Sequence, residues 1–197
     1  MTDTAEPGLP RVLSAALEVF AEKGYHGASI RDIASAAGLS VPGVYHHYGS
    51  KQEILAGLVA TTMDDLLART RAALESVDND PVRRFDAVVE ALLRFHLERS
   101  REAFVASSEI RSLEPDNRRR HVAARDEQQQ MLHDVVAAGH ASGDFVTPYP
   151  DEAVRSVAVL CVGTATWYRS DGPLDADELV DRHLVLARAL VGGARPG

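Results

Sequence analysis

Residues 40–51 carry the side chains best suited to contact an anionic polymer. A tyrosine and two histidines are adjacent at positions 45–47, and Gly43 lies shortly before them. Tyrosine hydroxyls and imidazoles can donate hydrogen bonds to phosphate oxygens and base edges, while a glycine lets the backbone approach closely. Lys51 adds a positive charge that can pair with a phosphate. This combination predicts contact with the backbone and base edges of a nucleic acid.

Two short helices with a tight turn between them are predicted for the segment SIRDIASAAGLSVPGVYHHY. A hydroxyl and a carboxylate three positions apart, Ser29 and Asp32, can cap the first helix. Gly38 offers the positive φ that ends it, and Ser40 caps a second helix over residues 41–47. This is the layout of a helix-turn-helix, which places one helix in the DNA major groove. The alternative is a helix pair that only packs, as in many all-helical proteins.

The segments on either side favour a DNA-binding helix-turn-helix over a helix pair that only packs. An apolar-faced helix is predicted over residues 9–23, and another leaves the unit without a linker after Lys51. The run ALEVFAEKGYHGASIRDIASAAGLSVPGVYHHYGSKQEIL, residues 16–55, resembles the DNA-binding domain of the TetR family of bacterial transcriptional regulators. The resemblance covers about the first third of the chain. It implies a helix-turn-helix over residues 29–48 with residues 40–47 as the recognition helix.

The side chains expected to contact DNA share this segment: Ser29, Arg31, Ser40, Val41, Gly43, Tyr45, His46, His47, Tyr48 and Lys51. Charge argues against nucleic acid at first, because the whole chain has a formal charge of −8 and residues 1–51 hold four basic against five acidic side chains. A DNA-binding unit with so little positive charge binds DNA weakly, so two copies must bind together. We therefore expect a homodimer on a two-fold symmetric double-stranded DNA operator.

Composition limits the remaining classes. A single cysteine permits no internal disulfide, the first residues lack the parts of a signal peptide, and the longest apolar stretch is too short for a bilayer span. We expect a cytoplasmic protein with no membrane partner. The expected organisation is a disordered tail over residues 1–8, a DNA-binding domain over residues 9–51, and a helical effector-binding and dimerisation domain over residues 52–197.

The fold class predicted for the whole chain is all-α. After residue 52 the sequence shows no strand signals and alternates amphipathic runs with proline and glycine. Helices are expected over residues 52–76, from 80 to about 96, 102–113, 116–140, 151–168 and 175–191.

The helix over residues 151–168 is apolar almost all round, so it must be covered on every side. A second copy of the chain is the expected cover, giving a two-fold four-helix contact. The residues assigned to this interface are Val154, Val157, Leu160, Cys161 and Leu186. The alternative is the central core helix of a monomer.

An effector is expected between the DNA-binding unit and this interface. Candidates from the residue types are Phe85, His96, Phe104 and Met131, although such residues are more often core. The segment WYRSDGPLDADELVD, residues 167–181, resembles a TetR subgroup that includes repressors of steroid and fatty-acid catabolism responding to acyl-CoA thioesters. That resemblance implies a place for Trp167 and Arg169 near the ligand or the dimer seam. Arg118, Arg119 and Arg120 could meet a nucleotide tail or simply form a solvated helix face.

Catalytic signals are weak. The chain has no glycine-rich phosphate loop, no HExxH motif and no paired cysteines, and the adjacent His46 and His47 make a poor metal pair. We expect no enzymatic activity, no cofactor and no metal site. The remaining alternative is a helical small-molecule-binding protein or enzyme that does not engage DNA.

Overall fold

The computed structural model describes residues 9–169 and 171–193, so the predicted tail over residues 1–8 lies outside the described residues. All regular structure in these ranges is helical, which confirms the all-α prediction. The α-helices are α1 (Arg11–Gly27), α2 (Ile30–Ala36), α3 (Val41–His47), α4 (Lys51–Glu75), α5 (Pro81–Glu98), α6 (Ser100–Ser108), α7 (Pro115–Ser142), α8 (Pro150–Trp167) and α9 (Ala176–Leu190), and a 3₁₀ turn (Glu109–Ser112) follows α6.

Three helix ends differ from the predicted ones. The first helix continues to Gly27 across a kink at Gly24, whose φ of 68° is not helical. The run predicted as one helix over residues 102–113 begins at Ser100 and tightens into the 3₁₀ turn at Glu109. The seventh helix passes the expected stop near residue 140 and ends at Ser142, and the following Gly143 adopts the left-handed conformation.

A first hydrophobic core holds the N-terminal helices together. Buried side chains of α1, α2 and α3 pack against the first half of α4, where Ile54, Leu55, Leu58 and Val59 are buried. The same core includes side chains from beyond α4, namely Val105, Ala106 and Leu113. The N-terminal unit therefore takes core residues from both sides of position 51.

A second core begins on the same α4 helix with Met63 and Leu66. Its centre is α5, which contacts α4, α7, α8 and α9 and buries one apolar face. The guanidinium of Arg188 on α9 donates two hydrogen bonds to the carboxylate of Asp86 on α5, and both side chains are largely buried. None of the described helices is long and apolar enough to span a membrane.

A close contact between a glycine and a phenylalanine closes this second core. After α7 the chain turns back, and the amide of Phe145 donates to the carbonyl oxygen of Gly139 at 3.0 Å. The Phe145 ring packs over Gly139 and meets the Phe85 ring edge to face, with centroids 5.2 Å apart. A Cβ on residue 139 would lie 2.1 Å from Cδ2 of Phe145. Only glycine fits beneath this ring.

We expect Gly139→Ala to lower the free energy of unfolding by about 1–3 kcal/mol, because the added methyl must displace a fully buried ring. Urea denaturation followed by circular dichroism measures the change. Ala138→Ser, at the exposed neighbouring position, is the control and should stay within about 0.5 kcal/mol. Equal effects of the two substitutions would contradict the packing argument.

Candidate functional site

The start of α2 is fixed by short-range hydrogen bonds. The backbone amide of Asp32 donates to Oγ of Ser29 at 3.2 Å, and the amide of Ser29 donates to the Asp32 carboxylate at 2.9 Å, which confirms the predicted cap. Lys23 forms an ion pair with the same carboxylate at 2.9 Å. Hydrogen bonds from Ser29 and Lys23 hold the pKa of Asp32 well below its ordinary value. Gly38 has the expected positive φ of 61°.

Helix α3 turns nearly all of its surface to solvent. Oγ of Ser40 accepts a hydrogen bond from the amide of Gly43 at 3.1 Å, which confirms the predicted cap. Val44 is the one side chain of α3 that is fully buried, and it anchors the helix in the first core. Tyr45 is 50% exposed, and the two following histidines are exposed with their rings edge to face. The helix therefore presents polar groups instead of contributing to a core.

The structure brings most of the residues predicted for DNA contact to one end of the molecule. Six are exposed: Ser29, Arg31, Ser40, Tyr45, His46 and His47. Three are half-buried: Val41, Gly43 and Tyr48. They all belong to the α2, α3 unit or its caps.

Lys51 occupies a different environment from the one expected. Its ammonium group donates to the carbonyl oxygens of Tyr25 and Ala28, each at 2.7 Å, and lies 4.3 Å from the centroid of the Tyr25 ring. The ammonium thus ties the end of α1 to the start of α4 and has one remaining proton with which it could meet a phosphate. The sequence pattern gave no sign of this contact, because the accepting carbonyls lie 23 and 26 residues away.

Next to Lys51, a hydrogen-bonded junction joins the N-terminal unit to the turn after α6. Nε2 of Gln52 donates to the carbonyl of Ser112 at 2.9 Å and to the Tyr25 hydroxyl at 3.3 Å, while Oε1 accepts from the amide of Glu114 at 3.1 Å. The Glu109 carboxylate accepts from the amide of Tyr25 at 3.2 Å and from the Ser112 hydroxyl at 2.8 Å. We call these five residues the junction. Their role was not predicted from the sequence.

Three residues assigned to the dimer interface need correction. Val154, Val157 and Cys161 are almost fully buried inside the protomer, because this face of α8 packs into the second core. Burial also raises the pKa of the Cys161 thiol to about 12, so it stays protonated. They cannot meet a partner while the protomer is folded.

A different apolar surface lies on α8 and α9. Val159 is 71% exposed, and Leu186 on α9, one of the predicted interface residues, is 52% exposed. Leu160 is half-buried. The other exposed large apolar side chains of the two helices are Val162, Trp167, Val185 and Leu190. Together with Val159 and Leu186 they form what we call the α8–α9 face.

A cavity of about 210 Å³ lies among α4, α5, α6, α7 and α8. Its apolar lining comes from Met63, Leu66, Phe95, Ala103, Ala106, Ile110 and Val162. Its polar lining comes from Thr62, His96, Ser107, His121, Arg125 and Gln128. Among the residues assigned to the effector site above, His96 lines this cavity.

The other predicted effector residues lie elsewhere. Phe85 is fully buried in the second core because the Phe145 ring occupies the space beside it. Phe104 is exposed on α6, and Met131 is half-buried on α7 outside the cavity lining. Trp167 stacks on His183 with centroids 5.8 Å apart, and Arg169 lies 4.0 Å from the carboxylate of Asp171. Trp167 therefore belongs to the α8–α9 face, and neither Trp167 nor Arg169 lines the cavity.

Two residues of the cavity lining carry buried polar atoms that lack a hydrogen-bond partner. Within residues 9–169 and 171–193, the only two buried side-chain nitrogen or oxygen atoms without a hydrogen-bond partner are Nδ1 of His121 and Nε2 of Gln128. Burial lowers the pKa of His96, and burial together with the nearby charge of Arg125 lowers the pKa of His121. Both rings are therefore neutral at pH 7. Buried polar groups are almost always hydrogen-bonded, so this wall is suited to a ligand.

Comparison with known proteins covers both halves of the chain. Residues 12–58 match the family model for bacterial regulatory proteins of the tetR family, and residues 78–191 match the model for the tetracyclin repressor-like C-terminal domain. The HTH-type transcriptional repressor KstR2 of Mycobacterium tuberculosis is 30% identical over 181 residues, which cover 89% of this chain and 88% of that protein.

Solved structures show the same architecture. A bacterial regulatory protein in the tetR family from Rhodococcus RHA1 superposes with a TM-score of 0.87 at 28% identity, covering 94% of this chain and 97% of that one. AibR, solved in complex with isovaleryl coenzyme A and operator DNA, superposes with a TM-score of 0.81 at 21% identity, covering 94% and 100%. The exposed helix-turn-helix, both family models and the full-length relative lead to one conclusion: the chain belongs to the TetR family of DNA-binding bacterial transcriptional regulators.

Proposed function

We propose that the protein is a repressor that binds a palindromic operator as a homodimer and is released by a small acyl effector, such as an acyl-CoA thioester. The observation that carries this proposal is the exposure of α3, which buries Val44 and turns its tyrosine and histidines to solvent. A helix that contributes so little to the core is explained by contact with another molecule.

The charge distribution supports recognition by more than phosphate pairing. Arg31 is the one cation on α2 and α3 that carries its charge at every pH, and Lys51 on α4 already donates to two backbone carbonyls. A unit with so few cations contacts few phosphates and binds DNA weakly by itself. Two units on one duplex add their contacts, so a dimer on a two-fold site provides the missing affinity.

The α8–α9 face supplies a surface for that dimer. Exposed valine and leucine side chains cluster there, whereas the opposite side of α8 is already buried in the protomer. Two copies of a helix pair can pack as a four-helix contact about a two-fold axis. Such packing would remove these apolar groups from water and hold the two α3 helices at a fixed distance.

The effector site is the cavity described above. A second groove of about 390 Å³ lies between α4 and α7, and the side chains of Met63 and His121 line both spaces. Asn117 and Arg120 also line the second groove. An acyl chain in the inner cavity would leave the polar remainder of a thioester beside Arg120. AibR, a protein of similar fold, was solved in complex with isovaleryl coenzyme A, which supports an acyl thioester as the class of ligand.

Helix α6 connects the effector cavity to the DNA-binding unit. Ala106 lines the cavity and is also buried in the first core. The turn that follows α6 carries Glu109 and Ser112, which bond to Tyr25 and Gln52 in the junction. A ligand that favours a shifted α6 would therefore change the position of α1 and α4, and with them the spacing of the two α3 helices.

The operator proposal is tested with Arg31→Ala and Tyr45→Ala. DNA from the region upstream of the gene is titrated by fluorescence anisotropy at several salt concentrations. Each substitution should weaken binding at least about fivefold, because it removes a direct contact of roughly 1 kcal/mol or more. Arg31→Ala should also lower the salt slope by about 1.

Two control variants separate DNA contact from folding. Arg118→Ala removes an exposed arginine on α7 and should leave operator affinity unchanged. Lys51→Met should lower the free energy of unfolding by about 1–3 kcal/mol, because two carbonyls lose their donor, but leave the salt slope unchanged. If the protein preferred no palindromic sequence over random DNA at moderate salt, the repressor proposal would fail.

The dimer proposal is tested with two valines on α8. Val159→Glu places a charge on the exposed α8–α9 face, so it should convert the dimer to folded monomers in sedimentation equilibrium. Val157→Ala, two positions away on the buried face, should lower thermal stability but leave the molecular mass unchanged. A Val159→Glu protein that remained dimeric would place the interface elsewhere.

The coupling proposal is tested with Gln52→Ala. The substitution removes three junction hydrogen bonds, so hexanoyl-CoA should weaken operator binding by a smaller factor than in the unaltered protein. Operator affinity is measured with and without hexanoyl-CoA, and hexanoyl-CoA affinity is measured separately. Gln129→Ala, on the half-exposed side of α7, should retain the full factor. If hexanoyl-CoA weakened operator binding by the same factor in both variants as in the unaltered protein, the junction would not transmit the effect of the ligand.

A further inference from the structure

We propose that the cavity binds an acyl group by its oxygen-bearing end, which Gln128 and Arg125 hold against α7, with the hydrocarbon chain directed toward α4, α5 and α6. This inference rests on the proposed effector function, and it names the residues that read the ligand and the chemistry they select.

Three of the six polar lining residues belong to one face of α7, which we call the polar wall. His121, Arg125 and Gln128 are spaced by four and three residues along α7, so their side chains project from the same side of the helix. All three line the cavity. A ligand that reached this wall would meet them together.

The wall offers hydrogen-bond donors. The unpartnered atom of Gln128 is the amide nitrogen Nε2, which can only donate. Arg125 has donors alone, and no ion pair with a carboxylate is found for it in the described part of the chain. Two donor groups at one end select an acceptor, and a carboxylate or carbonyl oxygen accepts in the plane where such donors bond.

The histidines set a limit on the charge of the ligand. Nδ1 of His96 lies 2.7 Å from the carbonyl oxygen of Leu92, so Nδ1 carries the proton and the other ring nitrogen is an acceptor. Burial keeps this ring and that of His121 neutral. Arg125 is then the only cation among the lining residues. A single partial or full negative charge fits, whereas several phosphates inside the cavity would not.

The rest of the lining selects a short hydrocarbon chain. Methionine, leucine, phenylalanine, isoleucine and alanine side chains of α4, α5, α6 and the 3₁₀ turn form the remaining apolar walls. A volume of about 210 Å³ lies below the usual range of ligand sites. The cavity therefore suits a short acyl chain whose polar end lies at Gln128 and Arg125.

Isothermal titration calorimetry with three six-carbon probes tests this assignment on the full-length protein. The probes are hexanoate, the hexanoyl thioester of N-acetylcysteamine, and hexylammonium. At least one acyl probe should bind, and hexylammonium should bind at least about tenfold more weakly, because its head group has only donors and a positive charge. Hexylammonium binding as tight as the acyl probes would overturn the proposal.

The variants then locate the head group. Gln128→Leu should weaken the better acyl probe at least about tenfold, while Gln129→Leu, at the neighbouring position outside the lining, should leave it within about twofold. Arg125→Met should weaken hexanoate more than the thioester if the natural ligand is a free acid. If Arg125→Met weakened both acyl probes equally, or if the unaltered protein bound the thioester more tightly than hexanoate, the natural ligand would instead be an acyl thioester. Unchanged binding in Gln128→Leu, or no binding of any probe, would overturn the assignment.

Operator binding of the same proteins separates this inference from the proposed function. Gln128→Leu and Arg125→Met lie on α7, about 80 residues beyond α3 in sequence, so both should keep full operator affinity. If the unaltered protein bound no operator while hexanoate binding depended on Gln128, the repressor proposal would fail and the acyl site would stand. If operator binding were normal and Gln128→Leu had no effect on any probe, the acyl site alone would fail.

Discussion

One continuous helix belongs to two hydrophobic cores, and the rest of the structure depends on this constraint. The first half of α4 is buried with α1, α2 and α3, and its second half starts the core around α5. Because a 25-residue helix bends little, its two halves cannot be repositioned independently. Any change in how the C-terminal helices pack against α4 must therefore alter the orientation of the DNA-binding unit or break helical hydrogen bonds.

The junction gives this rigid connection a second point of attachment. Gln52, at the start of α4, holds the turn after α6 through its amide group, and Glu109 holds the end of α1 beside the kink at Gly24. These bonds are made between neutral or singly charged partners at partly exposed positions, so each contributes modestly. The proposed effector response needs such modest contributions, because it requires two arrangements of nearly equal free energy.

The sequence predicted those features that depend on neighbouring residues. The caps at Ser29 and Ser40, the reversal at Gly38 and the exposure of α3 were all predicted, because each depends on residues only a few positions apart. Features that depend on tertiary packing were not. An all-round apolar α8 does not reveal which face its own core takes, and Val157 was assigned to the wrong side. Likewise, Phe85 could not be distinguished from a cavity residue until Phe145 was seen to pack beside it.

The presence of Val105, Ala106 and Leu113 in the first core has a consequence for how such proteins can be recombined. A fragment that ended after α4 would leave the apolar side chains that these residues cover exposed to water, and it would be prone to aggregation. A chimera that joined this DNA-binding unit to the C-terminal domain of a relative would also have to include α6 and its 3₁₀ turn from this protein. The residues that fold together as the DNA-binding unit therefore come from two separate parts of the chain, whereas the helix-turn-helix motif is one continuous segment.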